Sequence, residues 1–121
     1  MKIKLFTMFI CLFTFINCNM QTSKNVRVID LETFKKEIAK KNIQLIDVRT
    51  KEEFEGGAIP KAINIDVLQE NFKEKIKTLD TTKPVYIYCR SGSRSKKAAL
   101  LLEEVGFTKI TDLKGGYLNW K

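Results

Sequence analysis

Residues 85–95, VYIYCRSGSRS, end a run of strand-forming residues in a thiol and follow it with two arginines, three serines and a glycine. The chain has no histidine, so Cys89 has no imidazole to take its proton. The local pattern offers another route to activation. A strand, a loop CRSGSR and a helix opening near Ser95 would turn successive backbone N–H groups and the positive end of a helix dipole toward the sulfur. Such a cradle favours the thiolate without a general base. Gly92, in mid-loop, supplies the positive φ that a tight turn of this kind demands. Arg90 and Arg94 add side-chain charge, and together they favour a small dianionic substrate. A purely structural role for Cys89, as a small apolar residue closing a strand, fits poorly with the polar residues and glycine that fill the next six positions.

Two chemistries use such a cradle, sulfur transfer and phosphate-ester hydrolysis. Phosphatases of the cysteine type place an arginine six residues after the cysteine. Here the sixth residue is Ser95 and Arg94 comes fifth. The shorter ring encloses a smaller pocket, suited to one added sulfur atom more than to a tetrahedral phosphate. Three readings stand on the residues: a sulfurtransferase, a non-catalytic persulfide carrier or binding module, and a phosphatase or arsenate reductase, which the spacing disfavours.

The other cysteines isolate this thiol further. MKIK and the twelve uncharged residues LFTMFICLFTFI form a signal-peptide pattern over residues 1–17, too short for a spanning helix of about 20 residues. Cys11 lies within it. The run ends in FINC, which puts Cys18 where bacterial lipoprotein signals place the cysteine that is diacylated and becomes the new N-terminus. Lipidation at Cys18 is the expectation, with ordinary secretion or a retained anchor as alternatives. An exported location follows, periplasmic or envelope, with the membrane reached through lipid on Cys18. Residues 18–26 would then be a lipidated tether and residues 27–121 the domain. That domain keeps one thiol, which excludes an internal disulfide and a Cys/His zinc site, so neither metal nor cofactor is expected.

At 121 residues the chain suits one domain, with 44% hydrophobic and 30% charged residues, the composition of a folded globular body. Loss of Lys2 and Lys4 with the leader lowers the formal charge from +8 to +6. The basic segments KKEIAKK and NFKEKIK mix both signs, as solvated helix faces do. Basic residues interleaved with stacking aromatics are lacking, so nucleic acid is not an expected partner.

The elements that must hold Cys89 alternate along the chain. Strands are predicted at VRVI (26–29), IQLID (43–47), AINI (62–65), VYIY (85–88) and KITDL (109–113). Asp30 can cap a helix bearing Leu31, Phe34 and Ile38. TKEE at 50–53 reads as a capping box that opens a short helix ended by Gly56 and Gly57. Val67, Leu68, Phe72, Ile76 and Leu79 form one helical stripe, and Ala98 to Val105 form another, stopped by Gly106. Strands separated by helices predict an α/β fold, a five-stranded parallel sheet flanked by helices on both faces. Cys89 then lies at the carboxyl edge of the sheet, where such folds bind ligands.

IDVRTKEEFEGGAIPKAINID, VYIYCRSGSRSKKAALLLEEVGF and LKGGYLNW, in this order, resemble the single-domain rhodanese family over residues 27–121. The resemblance implies a sulfurtransferase whose Cys89 accepts a sulfane sulfur as a persulfide and passes it to a nucleophile, thiosulfate to cyanide being the usual assay. The expected partners are thus a small anionic sulfur donor and a thiol or cyanide acceptor. Carried onto this chain, Cys89 is the nucleophile, and Arg90, Ser91, Gly92, Ser93 and Arg94 form the substrate loop. Asp47 and Arg49 match the family's DVR segment and would shape the site from a neighbouring strand end. Gly115, Gly116 and Trp120 match a terminal GGxxxW pattern with a structural role. One departure is clear: where the family commonly has Gly-His-Ile-Pro-Gly-Ala, this chain has GAIPKA, with Ala58 and Lys61 replacing histidine and glycine.

Overall fold

A computed structural model describes residues 23–121. The leader, Cys11 and Cys18 lie outside the described residues. The elements run β1 (Val26–Ile29), α1 (Leu31–Ile38), β2 (Gln44–Asp47), α2 (Lys51–Glu55), β3 (Ile63–Asn64), α3 (Phe72–Ile76), β4 (Val85–Tyr88), α4 (Ser93–Glu104), β5 (Ile110–Leu113) and α5 (Tyr117–Trp120). All five strands pair in parallel, in the order β1-β5-β4-β2-β3. The five-stranded parallel α/β architecture is the one the alternation of strand and helix patterns predicts.

The central position of β4 follows from its sequence. All four residues of VYIY are buried, which only a strand with neighbours on both edges and cover on both faces can achieve. Its alternation divides the core. Val85 and Ile87 join Ile46 and Val48 of the β2 segment against Phe72 and Ile76 of α3 and Ala98, Ala99 and Leu102 of α4. Tyr86 and Tyr88 face the other way, with Leu45, Phe34 of α1, and partly buried Tyr117 and Trp120 of α5. Cys89 continues the first series, so its side chain is packed on the α4 face. The rim strands β1 and β3 carry the exposed residues Val28 and Ile63.

Four local expectations need correction. The stripe from Val67 to Leu79 is helical only over Phe72–Ile76. Val67 N–H bonds to the Val48 carbonyl, extending the sheet, and Asp66 turns the chain by accepting the Leu68 N–H at 2.9 Å. Such a side-chain turn competes with helix formation, and Leu68 is left exposed. The last turn tightens, with Thr78 and Leu79 donating to carbonyls three residues back. The third strand shortens to two residues at the rim. Helix α4 begins at Ser93, two residues before Ser95. The tether expected over 18–26 is fixed from Ser23 onward: Ser23 Oγ and Asn25 Nδ2 (3.0 Å) both donate to Glu103 of α4.

Candidate active site

Cys89 directly follows the central strand and is 1% exposed. Gly92 has φ of 107°, a backbone that only glycine adopts freely, and this turn brings its N–H to 3.0 Å from Cys89 Sγ. Helix α4 opens at the next residue with no side-chain cap. The positive end of its dipole begins one residue past this N–H, a setting that favours an anion. Ser95, fully buried in that turn, sets its Oγ 3.5 Å from Cys89 Sγ. The same Oγ lies 2.9 Å from Asp112 Oδ2 on β5 and 3.2 Å from the Gly92 carbonyl. Arg90, Ser91 and Ser93 are exposed.

Arg94 points at a carboxylate. Its Nη1 and Nη2 donate to Glu53 Oε1 at 2.6 Å and Oε2 at 2.9 Å, a two-pronged pairing that ties α4 to α2. The Arg94 guanidinium holds Glu53 well below the usual carboxylate range, at about 2. Thus Arg94, expected to guide an anionic substrate, has its fork occupied. Arg90 makes no ion pair among the described residues. The predicted capping box is half formed. Thr50 Oγ1 receives the Glu53 N–H at 3.2 Å, while the Glu53 carboxylate serves Arg94.

Asp47 and Arg49 are both buried and bonded to each other, with Arg49 Nη2 and Nε 2.7 and 3.0 Å from Asp47 Oδ2 and Oδ1. Burial works against the Arg49 charge, and the Asp47 carboxylate outweighs it, so the guanidinium is held more firmly charged. A second bond runs from Nη2 to the Gly57 carbonyl at 2.7 Å, and the guanidinium carbon lies 4.2 Å from the Tyr117 ring centre. Tyr117 N–H in turn donates to the Cys89 carbonyl at 2.8 Å, and Leu118 N–H to that of Arg90 at 3.1 Å. The pair is thus linked to the sulfur loop through α5.

This grip explains the second glycine of the terminal GGxxxW pattern. A Cβ on Gly116 would stand 2.5 Å from the Cys89 carbonyl oxygen and 2.6 Å from the Arg90 carbonyl, so only glycine lets α5 approach the loop. Lys61, at the position where the resemblance expects glycine, carries φ of 70°, a left-handed backbone that glycine takes without strain.

Ser95, Asp112, Glu53 and Tyr117 escaped sequence reasoning as site residues. Asp112 gave a signal: it is an acidic residue inside the apolar strand ITDL, all of which is buried. Glu53 gave none, because its partner lies 41 residues away.

Two outcomes follow from this geometry. Gly116→Ala should lower unfolding stability by roughly 2–3 kcal/mol and raise the reactivity of the loop to proteolysis, read by urea denaturation and limited digestion. Glu53→Gln should cost stability by an amount that is constant above about pH 5. Because the folded carboxyl titrates near 2 against an ordinary 4.5, that cost should shrink as pH falls through this window, measured by urea unfolding across pH. A difference independent of pH would exclude the ion pair as its source.

A model of the rhodanese-like domain matches residues 30–121. Among curated proteins, YqhL of Bacillus subtilis is 48% identical over 77 residues, 64% of this chain and 60% of that one. The sulfurtransferase of Allochromatium vinosum is 31% identical over 96 residues, 78% of this chain and 88% of that one. The share matched falls to 31% in the tRNA uridine(34) hydroxylase of Pelagibacter ubique, so the chain spans under two thirds of some of these relatives. The crystal structure of a rhodanese-related protein from Thermoplasma volcanium superposes with a TM-score of 0.68 at 32% identity, covering 78% of this chain and 89% of that one. With a matching domain model, sulfurtransferase relatives and a buried cysteine at the carboxyl edge of the same sheet, the chain belongs to the rhodanese-like sulfurtransferase family.

Proposed function

We propose that the protein takes a sulfane sulfur from a small anionic donor such as thiosulfate, holds it on Cys89 as a persulfide, and delivers it to a thiophilic acceptor, cyanide or a thiol. The supporting observation is the Gly92 N–H at 3.0 Å from Cys89 Sγ, beside the uncapped start of α4. In the first half-reaction the Cys89 thiolate attacks the outer sulfur of thiosulfate. The new S–S bond forms as the old one breaks, and sulfite leaves with the bonding pair. The persulfide anion rests in the cradle that held the thiolate. In the second half-reaction cyanide attacks the outer sulfur, thiocyanate departs, and the Cys89 thiolate returns.

A carrier role is favoured by one observation. Arg94 is engaged by Glu53, which leaves Arg90, without an ion pair among the described residues, as the loop cation for a small donor. In that reading a protein thiol loads or discharges the sulfur. The phosphatase and arsenate-reductase readings lose ground for the same reason, since a tetrahedral dianion needs the arginine fork. The leader pattern supports export with lipid on Cys18.

Cys89→Ser should reduce thiosulfate-dependent thiocyanate formation to background and abolish a one-sulfur mass gain seen in the wild type after donor treatment. Unchanged turnover in the variant would overturn the assignment. A sulfur adduct discharged by protein thiols and inert to cyanide identifies the carrier. For export, globomycin should block processing, and Cys18→Ala should abolish incorporation of labelled palmitate. Processing unaffected by both would defeat lipidation.

A further inference from the structure

Sulfur transfer as written above uses neither of two buried polar side chains beside the loop, Ser95 and Asp112. They lie in line with the reacting sulfur: Cys89 Sγ to Ser95 Oγ is 3.5 Å, and Ser95 Oγ to Asp112 Oδ2 is 2.9 Å. Asp112 is 3% exposed, and its other oxygen, Oδ1, is buried with no hydrogen-bond partner among the described residues. A carboxylate so placed carries an uncompensated charge, which a proton would remove. The neighbours reinforce this. Its strand partners are Val28 of β1 and Ile87 of β4, both apolar. Lys96 of α4 and Lys114 are the cations that, with Asp112, Ser91 and Ser93, line a cavity of about 430 Å³ beside the loop. Arg94, on the same helix as Lys96, is paired with Glu53. Burial pushes the Asp112 carboxyl up to about 7, against the opposing pull of the Ser95 hydroxyl and Lys96.

We infer that Ser95 and Asp112 form a proton relay that takes the place of a histidine base for Cys89. The inference rests on the sulfur-transfer reading for its use but not for its chemistry. In the resting arrangement Cys89 S–H donates to Ser95 Oγ, and the Ser95 hydroxyl donates to ionised Asp112. In the reactive arrangement the thiol proton has moved to Ser95 Oγ and the former Ser95 proton to Asp112 Oδ2. Asp112 O–H then donates to Ser95, and Ser95 donates to the thiolate. No heavy atom must move, no electron is transferred, and one negative charge is conserved. It passes from a carboxylate without N–H partners to a sulfur that has the Gly92 N–H. Ser95 touches the reacting atom, whereas Asp112 acts through Ser95 as a positioning residue that stores the proton. Attack on the donor consumes the thiolate and yields a persulfide anion, so the proton can stay on Asp112 through the cycle.

Two groups sharing one proton titrate as a pair, in two macroscopic steps. The thiolate absorbance of the full chain, taken as a difference from Cys89→Ser at each pH, should rise in two steps separated by a plateau. Asp112→Asn, which keeps shape and cannot store a proton, should reduce this to one step. In the wild type the Asp112 side-chain carbon resonance should inflect at the same pH values as the thiolate, and in Ser95→Ala the two signals should separate. A merely structural Asp112 would change stability and leave the number of steps alone. Should Asp112→Asn fail to fold, the wild-type and Ser95→Ala titrations decide alone. A single thiolate step in the wild type, or an Asp112 carboxyl already fully ionised before the thiolate begins to form, would overturn the relay. Neither titration uses a sulfur donor. A protein that loads sulfur yet titrates in one step refutes only the relay, and one that titrates in two steps yet loads no sulfur refutes only the transfer reading.

Discussion

The buried pair of Asp47 and Arg49 is the constraint on which the site hangs. Taking two charges out of water is costly, and such a pair persists only when its remaining hydrogen-bonding capacity is met. Arg49 meets it by reaching the Gly57 carbonyl and lying against the Tyr117 ring. One guanidinium thereby joins the end of β2, the turn after α2 and the last helix. Loss of one partner of a buried pair typically costs about 3–5 kcal/mol, far more than most single contacts in a domain of this size. Because the N–H of the same Tyr117 holds the Cys89 carbonyl, the cost would be felt at the sulfur loop.

The loop itself is clamped from three sides. Helix α5 holds its carbonyls, the Arg94–Glu53 fork ties its far end to α2, and Ser95 and Asp112 hold it from β5. Each clamp is polar, and each comes from a segment remote in sequence. A rigid ring of this kind keeps the Gly92 N–H aimed at the sulfur, so little reorganisation is needed when charge appears there. The four-residue α5 is too short to persist alone and depends on these contacts as much as the loop depends on it.

Legibility in the sequence followed the range of the interaction. The strands of the sheet and the cap at Asp30 were readable because apolar period and capping are local signals. So was the positive φ of Gly92, where turn chemistry demands it. The stripe from Val67 to Leu79 misled because its period was right while Asp66 offered the backbone a competing bond. The cysteine and the loop that turns its N–H toward the sulfur were legible as a contiguous run. The occupied fork of Arg94 and the contact between Ser95 and Asp112 were not, since each pairs residues that only the fold brings together. The close approach of Gly116 stood between: the pattern marked it as structural, and only the fold brings it against the carbonyls it must clear.

The near-complete burial of Cys89 Sγ also bears on regiochemistry. A persulfide has two electrophilic sulfurs. Attack on the outer one transfers sulfur, whereas attack on the inner one forms a mixed disulfide and expels hydrosulfide. In the proposed persulfide the S–S bond, about 2.05 Å long, sets the outer atom beyond the buried inner one. An incoming thiolate needs a collinear approach to its target, and the core packing around Cys89 crowds the inner sulfur. On the proposed Cys89 persulfide this packing would favour one of two products that thiol chemistry alone would mix.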